Sequence, residues 1–337
     1  MGARQRWTLA TGIVIWIALA GCGDASSDDD ETPDGGGDGD AVAGHPLDDE
    51  DDGPQPDPQF LVAAEGTCPG FVEGDGCRDD GTSLVCTFAP GDVPPRDVRI
   101  WFDESARDIQ SPLVFFFHGL SRVASDATMA LFGLGDTHQA ILDDGGILVS
   151  LEMEEGRMVS PTVSPWKLAI QDGLFEPDER RYDDVRVMDE VIACAEEHLG
   201  VNSRRIHSTG MSAGGLMTGS LIYNRSGYLA SVAPFSGGIM GLPDEQDPEN
   251  KMPVMMSYGG PRDTAVGQNF EEFAESMSER LQDNGNFHII CDHGNGHLLD
   301  QDLAPFSWQF LKDHPFGVPS PYEEGLPDGF SDTCVIP

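Results

Sequence analysis

Apolar runs typical of buried strands alternate with amphipathic helical patterns from about residue 97 onward, and this alternation restricts the possible folds more than any other feature of the chain. A continuous apolar run of four or five residues indicates a strand buried on both faces. Such runs occupy residues 98–102, 113–117, 147–151, 229–233, 253–257 and 287–290. Strands of this kind occur in parallel sheets whose two faces are covered by helices.

Helical periodicity fills several of the connections between these runs. Apolar side chains recur every four residues in segment 183–199, where Met188 and Ile192 widen the stripe formed by Val187, Val191, Ala195 and Leu199. Segments 270–281 and 305–313 have similar patterns. The hydrophobic content of 39% is enough for one substantial core. We therefore predict one α/β domain over residues 59–337, with a mostly parallel central sheet and helices on both faces.

A single serine lies among small residues in the stretch HSTGMSAGG, residues 207–215. A strand-like segment, 205–209, precedes Ser212, and a helix-like segment, 216–221, follows it. A sharp strand-to-helix turn holds a serine in a strained conformation, and bulky neighbours there would collide with the strand or the helix. A glycine-rich surface turn is the alternative, but the position between a strand and a helix favours a nucleophile elbow.

A serine nucleophile needs a histidine base, which in turn needs a carboxylate to orient it. When the serine lies on such an elbow, the acid and then the histidine follow it in the chain. Asp263 follows the strand predicted at 253–257, and both His293 and His297 follow the last predicted strand. We predict Asp263 as the acid and His297, which precedes the final helix, as the base. His293 is then a supporting or structural residue.

The developing negative charge on a substrate oxygen requires two backbone N–H groups directed at it. Ala213, directly after the nucleophile, is predicted to supply one of these groups. Leu120, in the loop after residues 113–117, is predicted to supply the other, because Gly119 permits a close approach of that backbone. His118 stands at the end of the sheet and is predicted to be a structural hydrogen-bonding residue.

Four stretches carry a family resemblance: 112–119, 183–185, 204–215 and 232–237. Through them, residues 97–314 resemble the esterase family that groups polyhydroxybutyrate depolymerases with feruloyl and acetylxylan esterases. The resemblance implies an α/β-hydrolase fold and a serine carboxylic-ester hydrolase that acts through an acyl-enzyme. The implied substrate is a polyester, a hydroxycinnamoyl ester or an acetyl ester. The acid loop, 258–263, lacks the usual histidine–glycine opening, and Leu298 replaces a common tryptophan or threonine, so the choice among these esters stays open.

Acidic side chains outnumber basic ones by 59 to 19, which gives a formal net charge of −40. Such a charge argues against nucleic acid as a partner, because phosphates require a positive surface. It also argues against docking on anionic lipid through basic patches. The sequence has no phosphate-binding loop signature and no convincing cluster of metal ligands, so no cofactor and no metal are expected.

The N-terminus has the pattern of an export signal. Arg4 and Arg6 precede an apolar run, 7–20, that is too short to span a membrane comfortably. The run ends in Leu-Ala-Gly-Cys, which resembles the lipobox of bacterial lipoproteins and implies cleavage after residue 21 and lipidation of Cys22. An ordinary signal peptide with an incidental cysteine is the alternative. Gly23 stands where an inner-membrane retention signal has aspartate, so the resemblance favours the outer membrane.

Residues 22–58 differ from the rest of the chain in composition. Between residues 24 and 58 there are 14 acidic side chains and no lysine or arginine. A segment with little hydrophobicity and one sign of charge does not bury enough surface to order itself. We predict a disordered acidic tether between the signal peptide, 1–21, and the catalytic domain, 59–337.

Six cysteines remain when Cys22 is set aside, and an even number in an exported chain indicates disulfides. They are Cys68, Cys77, Cys86, Cys194, Cys291 and Cys334. The fifteen possible pairings are not distinguishable from sequence. A zinc site is the alternative, but no C-x-x-C pair or histidine-rich cluster accompanies the cysteines. The first three are predicted to link a loop-rich N-terminal segment to itself or to the C-terminal tail.

Three functions are compatible with these features. The leading hypothesis is a serine esterase that uses Ser212, His297 and Asp263. A peptidase or thioesterase could use the same triad, although no acceptor pocket for its substrate is recognisable. A non-catalytic surface lipoprotein with a hydrolase fold would be expected to have lost a member of the triad, and here all three are present.

Overall fold

The computed structural model describes residues 57–64, 68–155, 166, 180–239 and 245–337. The predicted signal peptide, the lipidation site at Cys22 and nearly all of the predicted tether lie outside these residues. Asp57, at the end of the predicted tether, is described, and its carboxylate lies 2.9 Å from the Arg204 guanidinium. None of the helices in the described ranges is both long and apolar enough to cross a membrane.

A ten-stranded sheet forms the centre of the described domain. Its strands are β1 (Cys77–Asp79), β2 (Leu84–Phe88), β3 (Arg96–Trp101), β4 (Ser111–Phe117), β5 (Ile147–Leu151), β6 (Val201–Met211), β7 (Ser231–Phe235), β8 (Val254–Tyr258), β11 (His288–Asp292) and β12 (Cys334–Val335). The ribbon β9 (Thr264–Ala265) and β10 (Gln268–Asn269) is separate from this sheet. The strand order is β1-β2-β3-β5-β4-β6-β7-β8-β11-β12.

The six middle strands of the sheet, from β5 to β11 in this order, are parallel to one another. The outer strands are antiparallel: β1, β2 and β3 follow one another on one side, and β12 pairs with β11 on the other. The carboxyl ends of parallel strands lie along one edge of a sheet. Loops that follow β4, β6, β7, β8 and β11 therefore meet at the same edge.

Helices cover both faces of the sheet. They are α1 (Thr137–Asp143), α2 (Asp183–His198), α3 (Ala213–Asn224), α4 (Phe270–Asn284) and α5 (Ala304–Asp313). Strand β4 shows why both faces need cover, since all of its side chains are buried. Phe115 and Phe117 pack in one apolar cluster with α2, α3 and α4, while Val114 and Phe116 pack in a second cluster with α1 and α5. This alternation along a continuous apolar run confirms the predicted α/β layers.

Most of the predicted elements are present, with three differences. The strand predicted at 229–233 begins later, at Ser231, because the Leu229 N–H still donates to the Arg225 carbonyl in the turn that ends α3. The segment predicted at 205–209 is part of the longer β6. Strands β1 and β12 have only three and two residues, α1 has only seven, and Thr87 interrupts the apolar residues of β2, so none of these elements was anticipated.

The six cysteines form three disulfides: Cys68–Cys194, Cys77–Cys86 and Cys291–Cys334. The N-terminal segment is therefore linked to itself, as expected, and also to α2. The predicted alternative, a link from this segment to the C-terminal tail, is wrong: Cys334 pairs with Cys291 because β12 lies beside β11. Disulfides of this number are typical of exported proteins.

Candidate active site

Ser212 occupies the single residue between β6 and α3, and its backbone has φ 61° and ψ −120°. Non-glycine residues rarely adopt positive φ, so this conformation is strained. The Ser212 N–H donates to the Phe235 carbonyl at 3.0 Å, and its carbonyl accepts from Leu216 at 2.9 Å. These two bonds tie the turn to the neighbouring strand β7 and to the first turn of α3. The predicted elbow geometry is therefore present.

Glycines surround Ser212 because the strand and the helix cross too closely for side chains. A Cβ atom on Gly210 would lie 2.6 Å from the Gly214 carbonyl oxygen. A Cβ atom on Gly214 would overlap the Phe117 carbonyl oxygen of β4. The spacing of glycines read from the sequence thus has a packing cause: α3 starts directly above the ends of β4 and β6.

The structure brings Ser212, His297 and Asp263 together. His297 Nε2 lies 2.9 Å from Ser212 Oγ, and His297 Nδ1 lies 2.6 Å from Asp263 Oδ1. Because an ionised carboxylate only accepts hydrogen bonds, Nδ1 carries the proton toward Asp263, and Nε2 is free to accept the Ser212 hydroxyl proton. Asp263 is fully buried, and the His297 side chain retains 17% exposure. The hydrogen bonds thus lead from a buried carboxylate, through a partly exposed imidazole, to the hydroxyl of Ser212, a residue that is only 9% exposed.

The loop that carries His297 is fixed by its backbone. The Gly296 N–H donates to the Gly259 carbonyl at 3.0 Å, which joins this loop to the one that carries Asp263. The Leu299 N–H donates to the Leu131 carbonyl at 2.9 Å on the other side. The ring of Phe270, at the start of α4, lies 4.4 Å from the imidazole of His297. The imidazole is thereby held on one face by an apolar ring.

His293 occupies a different environment from His297. Its side chain is only 3% exposed, and its Nδ1 lies 3.4 Å from the Asp300 carboxylate and accepts the Asn295 N–H at 3.2 Å. Burial lowers the pKa of His293, which favours the neutral imidazole. Among the described residues, His297 and not His293 contacts Ser212. The preference for His297 as the partner of the serine therefore agrees with the geometry.

The two predicted oxyanion donors lie in the segments that flank Ser212. Ala213 is the first residue of α3, where N–H groups have no intrahelical acceptor. Gly119 approaches the serine so closely that a Cβ atom there would lie 3.4 Å from Ser212 Cβ, and Leu120 follows it. The Leu120 N–H donates to no acceptor among the described residues. These positions suit the predicted role, which stays a prediction.

His118, at the end of β4, is buried and bonds locally. Its Nδ1 lies 2.9 Å from the Gly119 carbonyl, and its own carbonyl accepts the Trp166 indole N–H at 2.8 Å. Burial lowers the pKa of His118. The described part of the chain shows no hydrogen bond between His118 and the serine, histidine or aspartate of the site. This geometry is that of a structural residue.

Two groups that support Asp263 were not predicted from sequence. Ser236 Oγ donates to Asp263 Oδ2 at 2.8 Å, and the Gly259 N–H donates to the same oxygen at 2.9 Å. Phe270 was assigned only to a helix. The signal for Ser236 was available, since it is a polar residue directly after a buried strand at the edge that carries the site. No sequence pattern specifies that its hydroxyl faces a carboxylate 27 residues later.

Comparison with known proteins finds one matching family and several similar folds. Residues 157–307 match the model of the Dienelactone hydrolase family. A native crystal structure of sOPH superposes with a TM-score of 0.61 at 17% identity, covering 82% of this chain and 96% of that one. Native pOPH gives a TM-score of 0.57 at 16% identity, covering 77% and 96%. The chain has an α/β-hydrolase fold. No curated protein matches its sequence.

A third solved structure similar to this hydrolase is a complex of a pOPH variant with pNPB. It has a TM-score of 0.58 and 16% identity, and the match covers 82% of this hydrolase and 97% of the pOPH variant. At these identities the similarity establishes the fold. The predicted fold class is confirmed. The prediction that the chain is an enzyme, an ester hydrolase, is confirmed as well.

Proposed function

We propose that this α/β-hydrolase is a serine carboxylic-ester hydrolase. The observation that carries the proposal is the unbroken chain of hydrogen bonds from Asp263 through His297 to Ser212, with distances of 2.6 and 2.9 Å. A serine hydroxyl is a weak nucleophile until a base removes its proton in the transition state. The proposed base, His297, lies within hydrogen-bond distance of the Ser212 hydroxyl, and the Asp263 carboxylate lies on the other side of the imidazole, which supports the proposal.

In the first half of the reaction, Ser212 Oγ attacks the ester carbonyl carbon while its proton passes to His297 Nε2. The Asp263 carboxylate stabilises the imidazolium that forms, and it keeps Nδ1 protonated throughout. The N–H groups of Ala213 and Leu120 stabilise the oxyanion of the tetrahedral intermediate. The intermediate collapses when His297 returns the proton to the leaving alkoxide, which departs as the alcohol.

The second half repeats these steps with water. His297 Nε2 removes a proton from water while the water oxygen attacks the carbonyl carbon of acyl-Ser212. His297 then passes this proton to Ser212 Oγ as the carboxylic acid is released. The strained backbone at Ser212 keeps Oγ fixed above the carboxyl edge of the sheet in both halves. We propose a polyester, a hydroxycinnamoyl ester or an acetyl ester as the substrate class.

The test is a comparison of wild type with Ser212→Ala on nitrophenyl esters of increasing acyl length, on methyl ferulate and on a polyester film. Loss of the nucleophile is expected to reduce turnover by on the order of 10⁶. A burst of nitrophenol equal to the enzyme concentration would show the acyl-enzyme. Ser208→Ala, which removes another buried hydroxyl from β6, is the matched control and should keep full activity.

Two results with an active protein would contradict this proposal, and an inactive wild type would be a third. One is a Ser212→Ala variant that keeps a tenth or more of the wild-type turnover. The other is a wild-type enzyme that cleaves none of the esters but does cleave peptides or thioesters, which would assign the same triad to a peptidase or thioesterase. No turnover of any of these substrates would favour a binding protein that retains a hydrolase fold.

We also propose that the hydrolase is exported and anchored to a bacterial membrane, preferably the outer membrane, through a lipid on Cys22. The three disulfides support an oxidising compartment. The lipobox-like sequence before Cys22 and the acidic tether behind it support the anchor. A flexible coil of 35 residues reaches roughly 30–35 Å, which is about one domain diameter.

Cell fractionation of wild type and Cys22→Ser tests the anchor. Wild-type protein should require detergent for extraction, because two or more acyl chains hold a protein stably in a membrane. The variant should be soluble or unprocessed, with the specific activity of the domain unchanged. Wild-type protein that is soluble and carries an unmodified Cys22 by mass spectrometry would rule out the anchor.

A further inference from the structure

A second serine adopts positive φ near the site. Ser236, directly after β7, has φ 40°, and its side chain is completely buried. Its hydroxyl donates to Asp263 Oδ2 at 2.8 Å. Strand β7 lies between β6, which leads to Ser212, and β8, which leads to Asp263. Ser236 therefore occupies the gap between the strand that presents the nucleophile and the strand that presents the acid.

The two oxygens of Asp263 have separate partners. Oδ2 accepts from the Ser236 hydroxyl and from the Gly259 N–H, while Oδ1 faces His297 Nδ1. A carboxylate with one donor on Oδ2 could still rotate about its Cβ–Cγ bond. Two donors from different strands fix the plane of the carboxylate, and with it the direction in which Oδ1 meets the imidazole.

The positive φ of Ser236 indicates that its hydroxyl makes a stabilising interaction. Glycine adopts positive φ without a steric penalty, whereas serine is strained there. Glycine would therefore be the easier residue at this position if only the turn mattered. The bond from the Ser236 hydroxyl to a buried carboxylate is the interaction that offsets the strain, because a charged acceptor makes a strong hydrogen bond.

The same turn also holds the nucleophile. The Phe235 carbonyl accepts the Ser212 N–H at 3.0 Å, and the Ser236 N–H donates to the Ser257 carbonyl of β8 at 2.8 Å. Phe235 thus holds the backbone of Ser212. Its neighbour Ser236 holds both the backbone of β8 and the carboxylate of Asp263. The geometry points to a positioning role for Ser236: it orients the Asp263 carboxylate so that His297 is aligned with Ser212. This inference rests on the proposed function.

The test uses two variants that remove the hydroxyl with opposite effects on the backbone. Ser236→Ala keeps the strain, and Ser236→Gly relieves it. Both should lower kcat for a nitrophenyl ester by about 10- to 100-fold, by analogy with the loss on removing a residue that orients a metal ligand. KM should stay within about twofold, because Ser236 is completely buried and so is not exposed to a substrate. The glycine variant should be the more stable of the two.

Ser231→Ala is the matched control. Ser231 is a buried serine at the other end of β7, and its hydroxyl bonds to His207 Nδ1 at 2.9 Å. Its removal should lower the midpoint of thermal unfolding and leave kcat unchanged at 25 °C. A proton NMR signal from the bond between His297 Nδ1 and Asp263 should move in both Ser236 variants and stay in place in Ser231→Ala.

The possible outcomes separate this inference from the proposed function. Ser236 variants with wild-type kcat and an unmoved imidazole signal, beside an inactive Ser212→Ala, would overturn the positioning role alone. An active Ser212→Ala would overturn the proposed function itself. If Ser236→Ala fails to fold, Ser236→Gly still decides the question: normal kcat in a folded glycine variant refutes the role, and reduced kcat supports it.

Discussion

The middle of the sheet and its two borders are built by different means. The six middle strands are parallel, and the loops at their carboxyl ends carry Ser212, Asp263 and His297. The border strands β1, β2 and β12 are short and antiparallel, and each border is closed by a disulfide between directly opposed residues, Cys77 with Cys86 and Cys291 with Cys334.

The difference indicates that the middle of the sheet positions the candidate site, whereas the disulfides at the borders stabilise the fold. Middle strands are held by apolar side chains on both faces, so their loops are free to hold strained residues such as Ser212 and Ser236. Border strands have fewer neighbours and little apolar surface, and exposed strand edges are prone to pair with other chains. Covalent bonds at the borders replace the missing neighbours. Substitutions in the middle should therefore affect activity, and substitutions at the borders should affect stability.

The largest expected effect is on activity at the middle of the sheet. His297→Ala should reduce turnover about as much as Ser212→Ala, on the order of 10⁶, because a unit that transfers one proton fails when either member is lost. Combining both substitutions should add almost nothing further. Steady-state kinetics on an activated ester would measure all three variants.

His293→Ala is the control for this experiment, since His293 is buried in the same loop but contacts Asp300. It should lose far less activity than His297→Ala. The opposite order, with His293→Ala inactive and His297→Ala active, would show that the base was assigned to the wrong histidine.

Removal of the two border disulfides, or of the link from Cys68 to α2, should act mainly on the free energy of unfolding. In the chain-entropy description, a disulfide contributes more when it closes a longer loop: about 5 kcal/mol for a loop of the size closed by Cys68–Cys194, about 4 for Cys291–Cys334 and about 2.6 for Cys77–Cys86. The loops span 126, 43 and 9 residues. Denaturant unfolding of the three paired cysteine-to-serine variants would measure this order.

These variants also sharpen the comparison of middle and border. Removing Cys77–Cys86 should leave kcat unchanged below the unfolding transition, because β1 and β2 are remote in the strand order from the site. Cys291 lies in β11, which leads to His297, so removing Cys291–Cys334 is expected to lower kcat modestly as well. Equal loss of activity in both variants would show that the borders are not separate from the site.

An intermediate effect on stability should appear in mildly acidic solution. Burial lowers the pKa of His207 in β6 to about 3 and that of His314 after α5 to about 4, from an ordinary value of 6.5. Between pH 6.5 and about 4, both imidazoles are therefore neutral in the folded protein but bind a proton in the unfolded chain. Their contribution to the free energy of unfolding is complete above pH 6.5, and it is lost as the pH falls toward 4 for His314 and toward 3 for His207. At pH 5 each histidine should cost about 2 kcal/mol of stability.

Unfolding by urea at pH 7.5 and pH 5 would measure this loss in wild type and in His207→Gln. The glutamine variant should lose about 2 kcal/mol less between the two pH values than wild type does. Equal pH dependence in the two proteins would mean that His207 is protonated in the folded state as readily as in the unfolded state.

The smallest effect is expected for an exposed ion pair at the border. Arg78 in β1 and Asp97 in β3 lie 2.7 Å apart, with side chains 59% and 36% exposed. Arg78→Ala should change the free energy of unfolding by less than about 1 kcal/mol, since solvent weakens such pairs. Thermal unfolding at low and high salt would measure it. A larger loss would show that this border depends on charge as well as on its disulfide.

The sequence predicts the middle of the molecule better than its borders, for physical reasons. Buried parallel strands appear as unbroken apolar runs, and β5, for example, coincides with the run at 147–151. The spacing of glycines around Ser212 follows from backbone contacts, so the elbow is also readable. Strand β12 has only two residues, Cys334 and Val335, and its place is set by a partner 43 residues earlier.

The supporting contacts of the site were less predictable for a related reason. Asp263 and His297 could be found because they follow strands in a fixed order. The role of Ser236 depends on the direction of a hydroxyl in a turn at φ 40°, and that direction is set by β6 and β8 on either side. The contact between Ser236 and Asp263 depends on the relative positions of β6, β7 and β8, so no local sequence pattern predicts it.

The order of the site residues along the chain affects when the hydrolase becomes active. Ser212, Asp263 and His297 follow β6, β8 and β11, and Cys291 of β11 forms a disulfide with Cys334, which lies 43 residues later. A growing chain exposes the serine long before its base has been synthesised. In the proposed mechanism, hydrolysis can therefore begin only after β11 and the loop that carries His297 have been synthesised and folded.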